Sequence, residues 1–513
     1  MIHDSRFKRN DSHRRSGVSG DRSHGKSACP VLVSRNAAAA SARASRGYFV
    51  VLVLVFSAVF FTLISALSGY IFVEKRAQLA KENREKALHV AEAGLEYYRW
   101  FLSHFPNDLQ NGTGLPGPYQ HTVNDPEGGE LGTFSLDVEG ESFCGSVSGV
   151  TIESTGRAAD PSYKRVVKAR YTRPSVAEFS HIVDSNVWAG SDRIISGPYH
   201  SNGGIRMDAA HNAEITSGQA TWTCFAGDFG CTGTQTVNGV FGNGSNPELW
   251  RFPVPVVDFG SVIIDVNTLE GYAQNQGGIY YGQAGGQSNR RGYHTIFNQN
   301  GTVTIYQVTD TTPVYSYASA RGWDFEYTII KTENLLGTFP IPQGCPVLFF
   351  KDRLWVEGVV SGKAVVVAAN IQASQYDPDV ILNNNLTYAN NSVVDGITVI
   401  AEHDVLVGLT TPDVMNIRGI FIAENGHFGR NYYHTFYLPT SLDPYVTRTT
   451  LNTTGTVVSK GRVGTKWVNS NGNFLSGYSQ RNDSYDAGLA ANPPPFTPAT
   501  SDIYKFRLWQ EVN

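Results

Sequence analysis

Few residues in this chain have the type and spacing to do chemistry, and they are scattered. His427 and His434 bracket a ring-rich run, His427-Phe428-Gly429-Arg430-Asn431-Tyr432-Tyr433-His434. Two imidazoles could ligate a metal, but this separation matches no standard site, and aromatic packing beside a turn is the reading the run favours. Asp377 and Asp379, followed by Asn383, Asn384 and Asn385, offer oxygen ligands of the kind calcium takes. They lack the spacing of a known calcium loop, so a solvated loop is expected there. His403 beside Asp404 is a weak hint of carboxylate chemistry that an exposed turn explains equally well. Tyr199-His200-Ser201-Asn202-Gly203-Gly204 reads as a turn between short strands. P-loop, H-E-x-x-H, G-x-S-x-G and paired C-x-x-C motifs do not occur. No catalytic, cofactor-binding or metal-binding set is therefore expected, and the chain reads as non-enzymatic.

The cysteines carry the remaining chemistry. Cys224 and Cys231 bracket a six-residue turn in a strand-rich context and could close a disulfide. Cys144 and Cys345 are either partners or buried free thiols. Cys29 lies in a basic prefix, where a reducing compartment is expected to keep it as a thiol.

The elements that must carry these residues follow from composition. The 513 residues exceed one ordinary core, so two or more folded units are expected. Charged residues make up 17%, against roughly 25% in an average soluble protein, while glycine reaches 52 and aromatics 12%. That balance excludes a disordered chain, a coiled-coil rod and a generic nucleic-acid binder, and it favours strands and turns. Residues 1–46 hold ten Lys/Arg and three Asp, which leaves 31 basic against 42 acidic residues in the remainder. The two parts are expected to face different compartments.

Tyr48 to Val73 carries no charge, and these 26 residues exceed the roughly 20 needed to span a bilayer as a helix. The basic excess before the span predicts a cytoplasmic amino end, with residues 74–513 outside. A disordered leader is expected over 1–46. Ala77, Ala80, Ala87, Ala91, Gly94, Tyr98 and Phe101 then recur at helical steps, so one helix is predicted over 47–105, ended by Pro106.

A glycine before the apolar run, Arg46-Gly47-Tyr48-Phe49, and an amphipathic half containing Ala91-Glu92-Ala93-Gly94-Leu95 resemble the PilX-type minor pilins of type IV pili. The resemblance covers roughly 46–105, more weakly to about 175. It implies cleavage between Gly47 and Tyr48 by a prepilin peptidase and packing of the apolar helix among other pilin subunits. It also implies the pilus assembly machinery and membrane lipid as partners. Two features depart from the pattern. The fifth residue after the implied cut is Leu52 where most major pilins carry glutamate, and the leader is long for the family.

Beyond the helix the expected class is α+β, mainly β. Strands are predicted at Gly132–Glu139, Gly149–Gly156 and Tyr163–Thr172, a small β-meander head over 106–175. Residues 176–513 form an extracellular β-rich domain. Asn-Gly turns recur there, and strand-like runs fall at Arg353–Val360, Ala364–Ala369, Ile397–Val407, Asn416–Ala423 and Gly455–Val463. No helix of ten residues is expected in it. The phrases GVVSGKAVVVA, GITVIAEHDVLVG and IRGIFIAENGHFG share a rhythm that fits a β-solenoid, with a β-sandwich as the alternative. Pro493-Pro494-Pro495 suits a stiff covering segment. These readings converge on a structural or adhesive pilin-like subunit. An anchored surface protein unrelated to pili and a β-helical glycan-active enzyme are the alternatives.

Overall fold

The computed structural model describes residues 46–105, 108–262, 265–370, 378–469, 471–501 and 504–512. The leader with Cys29, and Asp377, lie outside the described residues. Two compact units divide the chain at Arg76 and Ala77. A helix runs over Arg46–His104. In the first unit its apolar residues from Tyr48 to Val73 are exposed, and it is long and apolar enough to cross a membrane.

In the second unit the helix packs from Ala87 onward on a five-stranded antiparallel sheet. Its order is Tyr119–Asn124, Glu130–Phe143, Ser146–Ala158, Lys164–Thr172 and Lys505–Val512. Val90, Ala91, Leu95, Tyr98, Phe101 and Leu102 bury their stripe against Phe134, Leu136, Ile152, Val167, Ala169 and Tyr171. The opposite helix face carries Lys86–Glu82 and Arg99–Glu96 pairs, each at 2.6 Å. The meander is thus larger than the three strands expected. Its fifth strand comes from the chain's last residues, so the division at 175/176 is corrected: 505–512 belong to the head sheet.

The large domain is built on parallel ladders. One runs through Ile279–Tyr281, Val347–Phe350, Lys363–Ala368, Gly396–Ala401, Val414–Ala423, Thr447–Ser459, His181–Val183, Tyr199–Ser201, Ile215–Ser217 and Trp250–Arg251. A second joins Gly292–Asn298, Leu354–Val360, Val380–Tyr388 and Val405–Val407. Between Ile279 and Val407 each coil of chain adds one rung to each ladder, and the first ladder continues beyond the second. Spatial order is not sequence order, because Val457 pairs with His181 and the domain's first coil stacks on its last.

The rungs are more apolar than the expected alternation because both faces are covered. Val347–Phe350 and Gly396–Ala401 are buried throughout, as in parallel sheets generally. One cover is the ten-residue helix Val266–Asn275, N-capped by Asp265 and burying Leu269 and Ala273; this corrects the expectation of no such helix. Another is the segment around Pro493–Pro495, where Thr497 Oγ1 lies 3.1 Å from Thr398 Oγ1 and the Asn492 carbonyl accepts from Lys363 Nζ at 2.6 Å. The long antiparallel hairpin Thr302–Ala318 with Gly322–Pro340 was not anticipated.

Candidate functional sites

The apolar helical segment presents large rings and small residues side by side. Phe60 and Phe61 are exposed, and Ser57, Ala58, Ser65, Ala66 and Gly69 interleave with them. A Cβ on Gly69 would meet nothing within 4 Å. Gly47 and Tyr48 lie in the first turn of the helix, with the Tyr48 ring exposed.

Further along, the Ala91–Leu95 motif has a packing role. A Cβ on Gly94 would lie 2.3 Å from Ser154 Oγ, and one on Gly156 would lie 2.2 Å from the Ala87 carbonyl oxygen and 2.3 Å from the Ala91 nitrogen. Small residues on both sides let helix and sheet approach backbone to backbone.

At one corner of the large domain, residues read separately in the sequence come together. Val380 pairs with Val405 and Val405 with Phe428, so Asp379, Asp404 and His427 precede equivalent positions on successive coils. Val380 N donates to the Asp404 carbonyl at 2.9 Å and Val405 N to the His427 carbonyl at 3.0 Å. His403 Nδ1 lies 2.9 Å from Asp379 Oδ1 and 3.3 Å from Asp404 Oδ2, and His427 Nδ1 lies 2.7 Å from Asp404 Oδ1. The His427 backbone N–H also donates to Asp404 Oδ1 at 2.7 Å. Burial opposes ionisation of Asp404, but the His427 hydrogen bond and the two imidazoles outweigh it and hold the carboxyl below its ordinary range. The His403–Asp404 turn is therefore a packed cluster rather than a freely exposed turn. Asn383 to Asn385 lie within the strand Val380–Tyr388, about 13 Å or more along the chain at 3.3 Å per residue, and Asn385 Oδ1 accepts from Asn416 N. They do not join Asp379.

The ring-rich run divides three ways. His427 belongs to the corner. Arg430 is fully buried and donates to the carbonyls of Gly408, Leu409 and Tyr445 and to Thr411 Oγ1. Asn431 and Tyr433 donate at 2.6 Å to the buried Glu326, which also accepts from Ser316 and Thr328. Tyr432 and His434 join a surface aromatic cluster. There Trp323 lies 4.9 Å from Tyr437, 5.4 Å from Tyr315 and 5.6 Å from Tyr432, and Tyr317 lies 5.7 Å from Trp467. Phe325 and Phe436 stand out at its edge, 52% and 81% exposed. Half of this cluster comes from the unanticipated hairpin, which is why only Tyr432 to His434 drew notice in the sequence.

Cys224 and Cys231 are bonded beneath Trp222 and Phe229. Cys144 and Cys345, left open by the sequence, are bonded to each other and tie the head's Phe143–Ser146 turn to the large domain.

These features define a class of chain: an apolar helix able to cross a membrane, a small head of helix on antiparallel sheet, and a large domain of parallel ladders. No protein-family model matches the chain, and no curated protein matches it by sequence. Among solved structures it is similar to the competence-associated pilin ComZ from Thermus thermophilus, at 12% identity and a TM-score of 0.28, over 84% of this chain and 97% of that one. At that score the likeness carries no weight for fold or function.

Proposed function

We propose that the chain is a minor pilin-like subunit of a type IV pilus or related filament, PilX-like in its amino-terminal region. It is a structural and adhesive component rather than an enzyme. On this reading a prepilin peptidase cuts between Gly47 and Tyr48, the amino end faces the cytoplasm, and the helix passes from membrane lipid to contacts with other pilins and the assembly machinery. The large domain, read as a β-solenoid, is then displayed outside, with the aromatic cluster around Trp323 as its contact surface.

The observation that carries the reading is the division of labour within Arg46–His104. From Ala87 onward the helix buries a stripe against an antiparallel sheet through Ala91, Gly94 and Gly156, while the apolar residues from Tyr48 to Val73 are exposed among the described residues. A filament subunit needs that combination, because its apolar half must find partners outside the subunit. Intact-mass and N-terminal peptide analysis of membrane material tests the proposal. A mature amino terminus at Tyr48 is expected, and Gly47→Leu blocks the cut while leaving insertion intact. Recovery of the uncut chain alone, in cells that carry a prepilin peptidase, would sink the pilin reading.

A further inference from the structure

We propose that Asp379, His403 and Asp404 hold a divalent transition-metal ion of the zinc class at the corner of the parallel ladders, with His427 orienting Asp404. The ladder registers place Asp379 and Asp404 on consecutive coils, and adjacent strands lie roughly 4.8 Å apart. Stacked like charges repel when no cation separates them. The Asp404 backbone N–H donates to Asp379 Oδ1 at 3.2 Å, and among the described residues the side-chain group between the two carboxylates is Nδ1 of His403, 2.9 Å from one and 3.3 Å from the other. One N–H cannot make a full hydrogen bond to both oxygens. A metal ion in place of that proton bonds all three atoms at once.

The ligand atoms already converge, all within 4.8 Å of one another. Zinc bonds of roughly 2.0–2.2 Å in tetrahedral geometry set ligand atoms about 3.3–3.6 Å apart, so small side-chain rotations suffice. The donor set is one imidazole and two carboxylates, without thiolate. That set fits zinc, cobalt or manganese better than calcium, which prefers six or more oxygens. His427 Nδ1, 2.7 Å from the other oxygen of Asp404, fixes the carboxylate's orientation as outer partners of metal ligands do. Three protein ligands leave one position open, and His403 is the most exposed of the three. A donor from water or from another molecule can complete the set there.

The test uses the full chain, without a polyhistidine tag, purified in detergent and stripped with chelator. Equilibrium dialysis against Zn2+ or Co2+ with elemental analysis is expected to return one ion per chain. Asp404→Asn and His403→Ala abolish binding, His427→Ala weakens it about tenfold or more, and His434→Ala leaves it unchanged. X-ray absorption of the zinc-loaded wild type reads the site without any variant, and one imidazole with oxygen ligands is expected. A wild type that takes up no stoichiometric metal, a His403→Ala chain that retains it, or a spectrum of several imidazoles or of sulfur would overturn the assignment.

Discussion

Two buried histidines show how far neighbours alone can separate like residues. His294 has Nδ1 at 2.9 Å from Glu333 and Nε2 at 3.0 Å from Glu357. Burial pushes its pKa down, but the hydrogen bonds to both glutamates outweigh that and hold it above the ordinary value of 6.5. His181 is pushed the other way, down to about 3, by burial and by Arg193, whose Nη2 lies 2.7 Å from its ring. A group whose folded pKa is raised contributes stability that is complete below its unfolded pKa and lost as pH rises through the folded one; each tenfold gain in proton affinity is about 1.4 kcal/mol. The stability that His294 contributes is therefore expected to decline as pH rises from about 6.5 through its folded pKa, above the range in which His181, kept neutral by the fold, adds stability as pH rises. Glu357→Gln removes one of the two supporting carboxylates and is expected to flatten that decline. Melts of both proteins between about pH 5.5 and 8.5 check this, and equal slopes would exclude His294 as the cause. None of this was legible beforehand, because His294, Glu333 and Glu357 meet only when the long hairpin and the parallel ladder place them on one face.

The contact between helix and head sheet turns on the space at two glycines. Neither Gly94 nor Gly156 has positive φ, so a substitution there tests space and not backbone freedom. An added methyl at Gly156 collides with helix backbone at Ala87 and Ala91, which cannot yield without lifting the helix. At Gly94 it meets the Ser154 hydroxyl and, at 3.0 and 3.1 Å, the Phe134 and Leu136 side chains, all side chains that can shift where backbone cannot. Gly156→Ala is expected to cost about 1–3 kcal/mol and Gly94→Ala less. Thermal unfolding followed by circular dichroism checks the order, and the reverse order would mean that the sheet, not the helix, gives way. The helix itself and three head strands were legible, since local periodicity and Pro106 marked them. The closing strand Lys505–Val512 was not, because its partner Lys164–Thr172 lies more than 300 residues away. The rungs were legible as strands but not as doubly covered ones. The corner cluster failed for a related reason: Asp379, Asp404 and His427 line up only once the coil length is known, and the repeated Ala-Glu before His403 and His427 was its one local trace.

Taken whole, the chain joins its head to its large domain three times. The polypeptide leaves the sheet after Thr172, returns to it at Lys505, and is tied across by the Cys144–Cys345 disulfide. A load on the large domain therefore reaches the head's helix through covalent routes, a sensible arrangement for a displayed domain only if the helix is itself held by neighbours. Whether it is held by lipid or by other helices does not follow from apolarity. Phe60 and Phe61 each gain roughly 1.5–3 kcal/mol on leaving water, and they gain it in a bilayer and in a filament core alike. Selection between the two must come from close helix packing, where small residues permit backbone approach. Ala58 and Ala66 are two such residues on this helix, eight apart and separated by about two turns. Ala58→Leu together with Ala66→Leu keeps the segment apolar, so membrane insertion is expected to be unchanged. Co-purification with pilus components is expected to fall severalfold, because leucine fills the space a neighbouring helix would use. Membrane fractionation and quantitative pull-down on the same cells separate the two effects. A double variant that assembles like the wild type would reduce the helix to a simple anchor.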